Sequence, residues 1–447
     1  MRMRPIDSSF CRDIDVSGLG VPPRGGPMKY HVRADCRLCG GAIEKVLDLG
    51  ETPLANALVP GFLAMANDTR VQGEDSYPLY LSRCLTCGHV QLPVVVDPKL
   101  LFPADYPYKS GTGAAMREHL TEMASQLVGD LHPDGPLIDP DDVVVAEIGS
   151  NDGYLLQRFA DHGVRVIGID PAASLAERGM TLGFLTVPAF FDRDVAEAVR
   201  AACGEADIIV ANNVFAHADD LHEIVEGVRI LIADRGRFVF ECGWLLCVLG
   251  QNNWPVCYHE HLSQHSLGPL VVFFEKHNLT LYDAQIQFTQ GGSFRAFVSS
   301  EKREQTDSLR TMLAQERDGC SPERLAAWQS RADSSARAFA STLRSLKSQG
   351  KSIVGYGCSA KSTTLLHVAG IGRETIDFIC DSAPTKIGKF SPGKHIPIVH
   401  PDELEKRQPD VCVSLSGNFT GAFVERHPGF RGEWISPVLD VELRGEQ

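Results

Sequence analysis

The sequence predicts an α/β protein in which a cysteine-bearing module precedes two separate units of alternating strands and helices. Three observations predict this class. Two Cys-x-x-Cys pairs lie in the first hundred residues, short apolar strands alternate with helical segments from Val143 onward, and a second alternation begins after Gly350. Such alternation is typical of parallel sheets joined by crossover helices. With 447 residues, the chain is long enough for two or three domains.

Short apolar segments predict the strands of each unit. A helical spacing of Met116, Leu120, Met123 and Leu127 comes first. The first unit then contains the strands VVVAEIG, VRVIGID, ADIIVANN and RFVFEC, with helices between them. A charged, alanine-rich and helical segment follows over 301–350. The second unit contains SIVGYG, IDFICD, IPIVHP and DVCVSLS, with a helix over 361–368.

Composition excludes several classes of protein. Lys and Arg number 43 against 57 Asp and Glu, a net charge of −14, whereas a general nucleic-acid binder needs a basic surface. No apolar run approaches the roughly 20 residues that cross a bilayer, and the first 30 residues lack the apolar core of a secretory signal. Thirteen cysteines without such a signal fit a reducing compartment. We therefore expect a cytoplasmic protein that binds neither nucleic acid nor membranes.

The two Cys-x-x-Cys pairs predict a metal site. Each pair is followed by glycine and can form a tight knuckle in which two thiolates converge. Two knuckles complete a tetrahedral zinc site that has no open position, so we expect one structural zinc per chain. Four unrelated buried cysteines and a redox Cys-x-x-Cys are the alternatives. The predicted ligands are Cys36, Cys39, Cys84 and Cys87.

A glycine-rich turn directly after the first apolar strand predicts a cofactor site. Asp170 follows 21 residues after Gly149, at the end of the next strand, where a carboxylate can bind ribose hydroxyls. Acidic residues in the turn repel a pyrophosphate but favour the cationic methionine end of S-adenosylmethionine, so we expect this methyl donor rather than NAD. A turn that serves only packing is the other alternative. The predicted residues are Glu147, Gly149, Asn151, Asp152, Gly153 and Asp170.

Titratable residues follow two later strands. Asn212, Asn213 and His217 come after ADIIVA, and the segment Tyr258-His259-Glu260-His261 follows WPVC. In a doubly wound sheet, the carboxyl ends of strands face the ligand, and an imidazole there can remove a proton at neutral pH. A metal site formed by His259 and His261, with His217 or Glu260 nearby, and a set of surface histidines are the alternatives.

Together the motifs resemble the zinc-containing, S-adenosylmethionine-dependent sugar C-methyltransferases of deoxysugar biosynthesis. The matching stretches include CRLCG, LDLGETPLANAL, CLTCGHVQL, EIGSNDGYLL, ANNVFAH, YHEHLS, GGSFRAFV and GYGCSAKSTTLL, in order along the chain. The resemblance implies that a base deprotonates the carbon beside the ketone of a nucleotide-linked 4-keto sugar, here expected to be a dTDP-sugar. An O- or N-methyltransferase and a catalytically inactive zinc-organised binding protein are the alternatives.

The resemblance also implies roles for single residues. His261 is the expected base, with Tyr258, Glu260 and His217 assisting it, and Asn212 is expected to contact the cofactor. A second glycine turn, which begins at Gly355, is similar to the family's nucleotide-sugar segment. The expected substrate-binding residues are Tyr106, Tyr108, Asn213, Gly355, Tyr356, Gly357, Lys361, Lys386 and Lys389.

The resemblance implies a Rossmann-like class I methyltransferase domain at the centre of the chain. We therefore expect a flexible leader (1–30), a zinc-binding module (31–105) and an S-adenosylmethionine-binding methyltransferase domain (106–300). A helical connector (301–350) and a C-terminal nucleotide-sugar-binding α/β domain with a parallel sheet (351–447) would follow.

Overall fold

A computed structural model describes residues 29–61, 74–103, 106, 109–131 and 142–437. Almost all of the expected leader, and also Tyr108, lie outside these residues. The N-terminal module contains β1 (Tyr30–Val32), β2 (Ile43–Pro53), β3 (Ser76–Cys84), β4 (Val90–Gln91), β5 (Val94–Val96) and α1 (Pro98–Leu101). Strands β2, β3 and β4 pair antiparallel, and β1 pairs with β5. Strands β2 and β3 occupy part of the long interval between the two cysteine pairs.

The central unit begins with the helix that the apolar spacing predicts. Its elements are α2 (Ala114–Gly129), β6 (Val144–Ile148), α3 (Tyr154–Ala160), β7 (Arg165–Ile169), α4 (Ala173–Thr181), β8 (Leu185–Val187), α5 (Arg193–Cys203), β9 (Ala206–Asn212), α6 (Leu221–Leu231) and β10 (Ile232–Gly243). They are followed by α7 (Leu245–Gly250), β11 (Ser263–Gln264), α8 (Leu267–Lys276), β12 (Thr280–Gln287) and β13 (Ser293–Ser299). The predicted strands and helices are confirmed, whereas the sequence patterns did not identify β12 and β13.

The seven-stranded central sheet has the order β8-β7-β6-β9-β10-β13-β12. The first five strands are parallel, and β13 runs antiparallel to both of its neighbours. A dinucleotide-binding Rossmann sheet has a sixth parallel strand directly beyond the fifth. Here the antiparallel β13 is inserted between the fifth strand, β10, and the edge strand β12, which is parallel to the first five. Val144, Ala146 and Ile148 join one core, and Val143 and Val145 join another on the opposite face. Burial on both faces explains the continuous apolar run of β6.

Strand β11 belongs to the sheet of the N-terminal module rather than to the central sheet. Ser263 pairs with Gln91 and Gln264 pairs with Val90, which gives the strand order β11-β4-β3-β2. The pairing attaches the chain directly after Tyr258–His261 to the cysteine module. No sequence pattern indicated this contact, since a two-residue strand has no periodicity to detect.

The remaining chain forms three connecting helices and a five-stranded parallel sheet. The elements are α9 (Asp307–Gly319), α10 (Pro322–Ala326), α11 (Trp328–Ser348), β14 (Ile353–Tyr356), α12 (Ala360–Val368), β15 (Ile379–Cys380), β16 (Ile398–Val399), α13 (Asp402–Arg407), β17 (Val411–Ser414), α14 (Thr420–Arg426) and β18 (Glu433–Ile435). This sheet has the order β16-β15-β14-β17-β18, and all of its strands are parallel, as predicted. Apolar side chains of α11 share one core with β2 and α12, so the module and the C-terminal unit pack on the same helix.

None of the helices in the described ranges combines the length and apolar character that a membrane span requires.

Candidate active site

The four predicted zinc ligands converge. The Sγ atoms of Cys36 and Cys87 are 3.6 Å apart, those of Cys39 and Cys84 are 3.5 Å apart, and all four lie within 4.8 Å of one another. A tetrahedral ion with Zn–S bonds of about 2.3 Å requires sulfur separations of about 3.8 Å, so the cluster fits zinc. Positive φ angles at Gly40 and Gly88 let each knuckle turn back sharply. The contact between the Cys36 and Cys87 thiols lowers the pKa of Cys36 and raises that of Cys87, as expected for thiols packed closely together without a metal ion.

The cofactor turn follows β6 and is closed by hydrogen bonds to the next strand. The amide of Gly149 donates to the Ile169 carbonyl (2.7 Å), and the amide of Asn151 donates to Oδ2 of Asp170 (2.8 Å). Gly149 has a φ of +69°, and a Cβ there would lie 2.3 Å from Cγ2 of Val214. Glycine at this position therefore lets the loop after β9 approach the turn.

Unpartnered acceptors around this turn fit a cationic ligand. Oε2 of Glu147, Oδ1 of Asp152 and Oδ1 of Asn212 are buried and have no hydrogen-bond partner among the described residues. Burial, together with the charges of Asp170 and Asp152, raises the pKa of Glu147 well above its usual value. A bound ammonium would satisfy such acceptors and offset the repulsion between the carboxyl groups, whereas a phosphate would do neither. The residues therefore fit the methionine end of S-adenosylmethionine.

The chain before α2 closes over the same turn. The amide of Ser110 donates to Oδ1 of Asn151 (3.0 Å), and the amide of Gly111 approaches Oδ2 of Asp152 at 3.3 Å. Gly153, at a φ of +76°, is the residue directly before α3. The turn is therefore held by hydrogen bonds to the end of β7 on one side and to the chain before α2 on the other.

His261 and Tyr258 form a hydrogen-bonded pair. Nδ1 of His261 lies 2.8 Å from the Val256 carbonyl, which can only accept, so Nδ1 carries the proton. Nε2 of the neutral ring is then an acceptor and receives the Tyr258 hydroxyl at 2.7 Å. Burial, aided by the positive charges of neighbouring groups, holds the pKa of His261 well below its usual value. The imidazole is therefore neutral at pH 7, with its lone pair directed to Tyr258.

Glu260 receives hydrogen bonds from two other parts of the chain. Nδ2 of Asn56 donates to Oε1 and the Tyr106 hydroxyl donates to Oε2, both at 2.7 Å. Burial raises the pKa of Glu260 to about 7, and the two donors oppose that shift. Sequence analysis missed Asn56, although the residue lies in the quoted LDLGETPLANAL segment. Asn56 and Glu260 are far apart in the sequence, so no local spacing of residues could predict this contact.

The other two histidines differ in their surroundings. His217 stacks on His261, with ring centroids 5.1 Å apart, and on Phe102, and burial lowers its pKa to about 4. Nε2 of His259 points to the Pro78 carbonyl at 3.3 Å, on the side of the module. His259 and His261 therefore do not share one strand face, and among the described residues only the four cysteines group as metal ligands. The alternative metal site is not supported.

The second glycine turn repeats the hydrogen bonding of the first. The amide of Gly357 donates to the Cys380 carbonyl (2.8 Å), and the amide of Cys358 donates to Oδ2 of Asp381 (2.8 Å). Oδ1 of Asp381 accepts from the amide two residues further along the chain, as Oδ1 of Asp170 does. Asp381 ends the strand IDFICD just as Asp170 ends VRVIGID, so the sequence held a signal for Asp381 that was overlooked.

The expected substrate-binding residues of this unit fall into two groups. Tyr356 packs in a core with its hydroxyl 2.9 Å from Nε2 of His427, and a Cβ on Gly355 would collide with Leu415, so both positions serve packing. Nζ of Lys386 bonds to the Cys358 carbonyl at 2.7 Å, beside the turn, and Lys389 lies half-buried three residues further along.

Asn213, the expected substrate-binding residue of the central unit, has a φ of +54° and follows β9 at the carboxyl edge of the central sheet.

Helix α12 brings the C-terminal unit against the chain directly before Tyr258–His261. Oγ1 of Thr363 donates to the Ala55 carbonyl (3.1 Å), and Oγ1 of Thr364 donates to the Cys257 carbonyl (3.2 Å). Lys361, in the first turn of this helix, lies near enough to His261 for its charge to lower the pKa of that ring. Burial lowers the pKa of Lys361 itself to about 8.

The antiparallel strand β13, inserted between β10 and β12, distinguishes the central sheet from a dinucleotide-binding one. With the unpartnered acidic acceptors at the first glycine turn and the four-cysteine site, this sheet defines an S-adenosylmethionine-dependent methyltransferase with a zinc-binding module. Comparison with known proteins gives the same class. Three family models match, described as a zinc binding domain (36–102), a methyltransferase domain (146–238) and a C-methyltransferase C-terminal domain (288–438).

The C-methyltransferase NovU of Streptomyces niveus is 32% identical over 420 residues, which cover 92% of this chain and 96% of NovU. The protein belongs to this family of S-adenosylmethionine-dependent C-methyltransferases. Among solved structures, magnesium protoporphyrin IX methyltransferase ChlM of Synechocystis PCC 6803 is 14% identical with a TM-score of 0.30, covering 41% of this chain and 79% of that one. The CcbJ methyltransferase of Streptomyces caelestis is also 14% identical, with a TM-score of 0.31 and coverages of 41% and 90%.

Proposed function

We propose that the protein transfers a methyl group from S-adenosylmethionine to the carbon beside the ketone of a nucleotide-linked 4-keto-deoxysugar, through an enolate generated by its own base. The observation that carries this proposal is the state of His261, whose neutral ring directs Nε2 to the Tyr258 hydroxyl at 2.7 Å. A carbon acceptor has no lone pair, so it must lose a proton before it can attack a methyl group. Methyl transfer to carbon therefore needs a base of this kind.

The proton path begins at the substrate carbon beside the ketone. The C–H bond breaks, its electron pair forms the enolate, and the negative charge moves to the ketone oxygen. Nε2 of His261 takes the proton, either directly or through Tyr258, whose hydroxyl then passes its own proton to the ring. The contact from Nδ1 to the Val256 carbonyl stabilises the imidazolium that results.

When bound, S-adenosylmethionine would supply an electrophilic methyl group to the enolate carbon; the new C–C bond would replace the sulfonium S–CH3 bond, with S-adenosylhomocysteine as the leaving group and the ketone restored. The residues proposed to hold this cofactor are those around the first glycine turn, where acidic and amide oxygens are buried without partners. Glu260 is proposed to orient the sugar, because its two oxygens are held in place by Asn56 and Tyr106. His217 stacks on the base and is proposed to fix the plane of its ring.

The nucleotide part of the substrate is proposed to bind at the second glycine turn. Amide groups at the start of α12 and the ammonium groups of Lys361 and Lys386 are the kinds of donors that phosphates prefer. The contacts from α12 to Ala55 and Cys257 support this assignment, since they bring the turn next to the catalytic segment. A diphosphate there would leave the attached sugar near His261. A dTDP-sugar is the nucleotide-linked substrate that we propose.

The test separates deprotonation from methyl transfer. The purified protein is incubated in heavy water with S-adenosylhomocysteine and a panel of 4-keto-deoxysugar nucleotides, and deuterium beside the ketone is measured by NMR. We expect exchange with at least one sugar, and a methyl–carbon product when S-adenosylmethionine replaces the homocysteine. No exchange with any sugar would contradict the proposal, and a new methyl group on oxygen or nitrogen would identify a different acceptor atom.

A further inference from the structure

Arg37 lies between two zinc ligands, and its side chain has no exposed surface. Nη1 donates to the Leu262 carbonyl at 2.6 Å, and Nη2 donates to the Leu92 carbonyl at 2.9 Å and to Oδ1 of Asp219 at 3.2 Å. The amide of Arg37 also donates to Oε1 of Gln91 (2.9 Å). One guanidinium therefore joins the first cysteine knuckle to strand β4 and to two loops of the central unit.

Both loops carry a histidine of the catalytic cluster. Leu262 directly follows His261, and Asp219 lies two residues after His217. The two imidazoles stack with their centroids 5.1 Å apart, so a shift of either loop would change the position of the base. The pairing of β11 with β4 begins at the next residue, and the amide of Leu92 donates to the same Leu262 carbonyl (2.9 Å).

The chemistry of these contacts needs arginine. Burial of a charged group is unfavourable unless partners compensate, and here two backbone carbonyls and the Asp219 carboxylate accept from the guanidinium. A planar fork can reach two carbonyls and a carboxylate at once, whereas an ammonium cannot keep that geometry. An apolar side chain would pack the module against the central unit without directing any carbonyl. The hydrogen bonds of Arg37 therefore orient the Leu262 carbonyl and the Asp219 carboxylate, which packing alone would not do.

We propose that Arg37 is a positioning residue for methyl transfer, which holds the His261 and His217 loops in register with the zinc knuckle. This inference rests on the proposed role of His261 as base. None of the hydrogen bonds of Arg37 to described residues reaches the glycine turn, so Arg37 acts on the chemical step and leaves cofactor affinity unchanged. The four-cysteine site thereby has a catalytic consequence, because it fixes the backbone from which Arg37 reaches the two loops.

The test uses the full-length, zinc-loaded chain with Arg37→Lys, which keeps the charge and loses the fork. We expect kcat to fall about 100-fold, as for a misplaced catalytic group, with an unchanged Kd for S-adenosylmethionine and unchanged zinc content. The matched control is Arg33→Lys, since Arg33 also donates to Oδ1 of Asp219 (3.2 Å) but is bonded to neither Leu262 nor Leu92. This control should keep kcat within about twofold. Added guanidinium should restore part of the activity of Arg37→Ala.

Hydrogen exchange measured by mass spectrometry gives a second readout that needs no substrate. Backbone amides over 256–264 and 214–220 should exchange faster in Arg37→Lys than in Arg33→Lys, while amides of the glycine turn should not change. If the wild type acts on none of the tested sugars, the proposed function fails, and this exchange pattern still decides the role of Arg37. Equal exchange in both variants, or a lower melting temperature with an unchanged kcat, would overturn the positioning role.

Discussion

Nδ2 of Asn56 lies 2.7 Å from Oε1 of Glu260, so a residue of the cysteine module is bonded directly to the segment Tyr258–His261. The two residues are 204 positions apart in the sequence, and the Tyr106 hydroxyl holds the second oxygen of the same carboxyl group. Together with the pairing of β11 and β4, this contact makes the zinc-binding module one wall of the proposed active site.

The pKa of Glu260 should respond to the loss of either donor. Both partners donate, so the carboxylate is the form that fits, and Asn56→Ala should raise a pKa that burial has already moved to about 7. The acidic limb of the pH profile of kcat/KM should therefore move to higher pH, with a loss of about tenfold at pH 6 for a shift of about one unit. Tyr106→Phe should move the limb in the same direction, and an unchanged profile in both variants would count against a catalytic role for Glu260.

Replacement of the base should abolish chemistry and spare binding. His261→Asn removes the lone pair at Nε2, and we expect turnover to fall about 1,000-fold, within the usual range for general-base catalysis. The Kd for S-adenosylmethionine, measured by calorimetry, should stay within about twofold of the wild type, because the glycine turn does not contact His261. His222→Asn is the control, since His222 lies outside the cluster and is bonded to His277. Comparable losses in both variants would remove His261 as the base.

Local patterns predicted the strands and the turns well, and long-range contacts poorly. Glycine spacing identified the turn at Gly149 because glycine, which has no Cβ, adopts a positive φ readily. Asn56 and Arg37 escaped notice because their partners lie 204 and 225 positions away, and no local pattern records such a distance. Tyr356 was expected to contact substrate because it lies in the turn motif, yet alternation along β14 directs it to the opposite face and the core.

Loss of one zinc ligand should affect both stability and catalysis. We expect about one zinc per chain by metal analysis in the wild type and none in Cys84→Ser. Because β11 pairs with β4 next to this site, the variant should lose activity and melt at least about 5 °C lower. Cys320→Ser is the matched control, since that half-buried thiol lies outside the cluster. A Cys84→Ser variant that keeps its metal would contradict the four-thiolate assignment.

The cofactor turn can be tested by adding a single methyl group at Gly149. Its φ of +69° is unfavourable for alanine, and the new Cβ would lie 2.3 Å from Cγ2 of Val214. Gly183 is the matched control, because its φ is +90° and a Cβ there would meet nothing within 4 Å. Both alanine variants should therefore lose about 1–2 kcal/mol of stability from backbone strain, measured by urea denaturation. Only Gly149→Ala should also displace the loop after β9. The binding of S-adenosylmethionine should then weaken by about tenfold for each 1.4 kcal/mol of binding free energy that is lost. Equal affinities in calorimetry for the two variants would show that the close approach at Gly149 has no part in holding the cofactor.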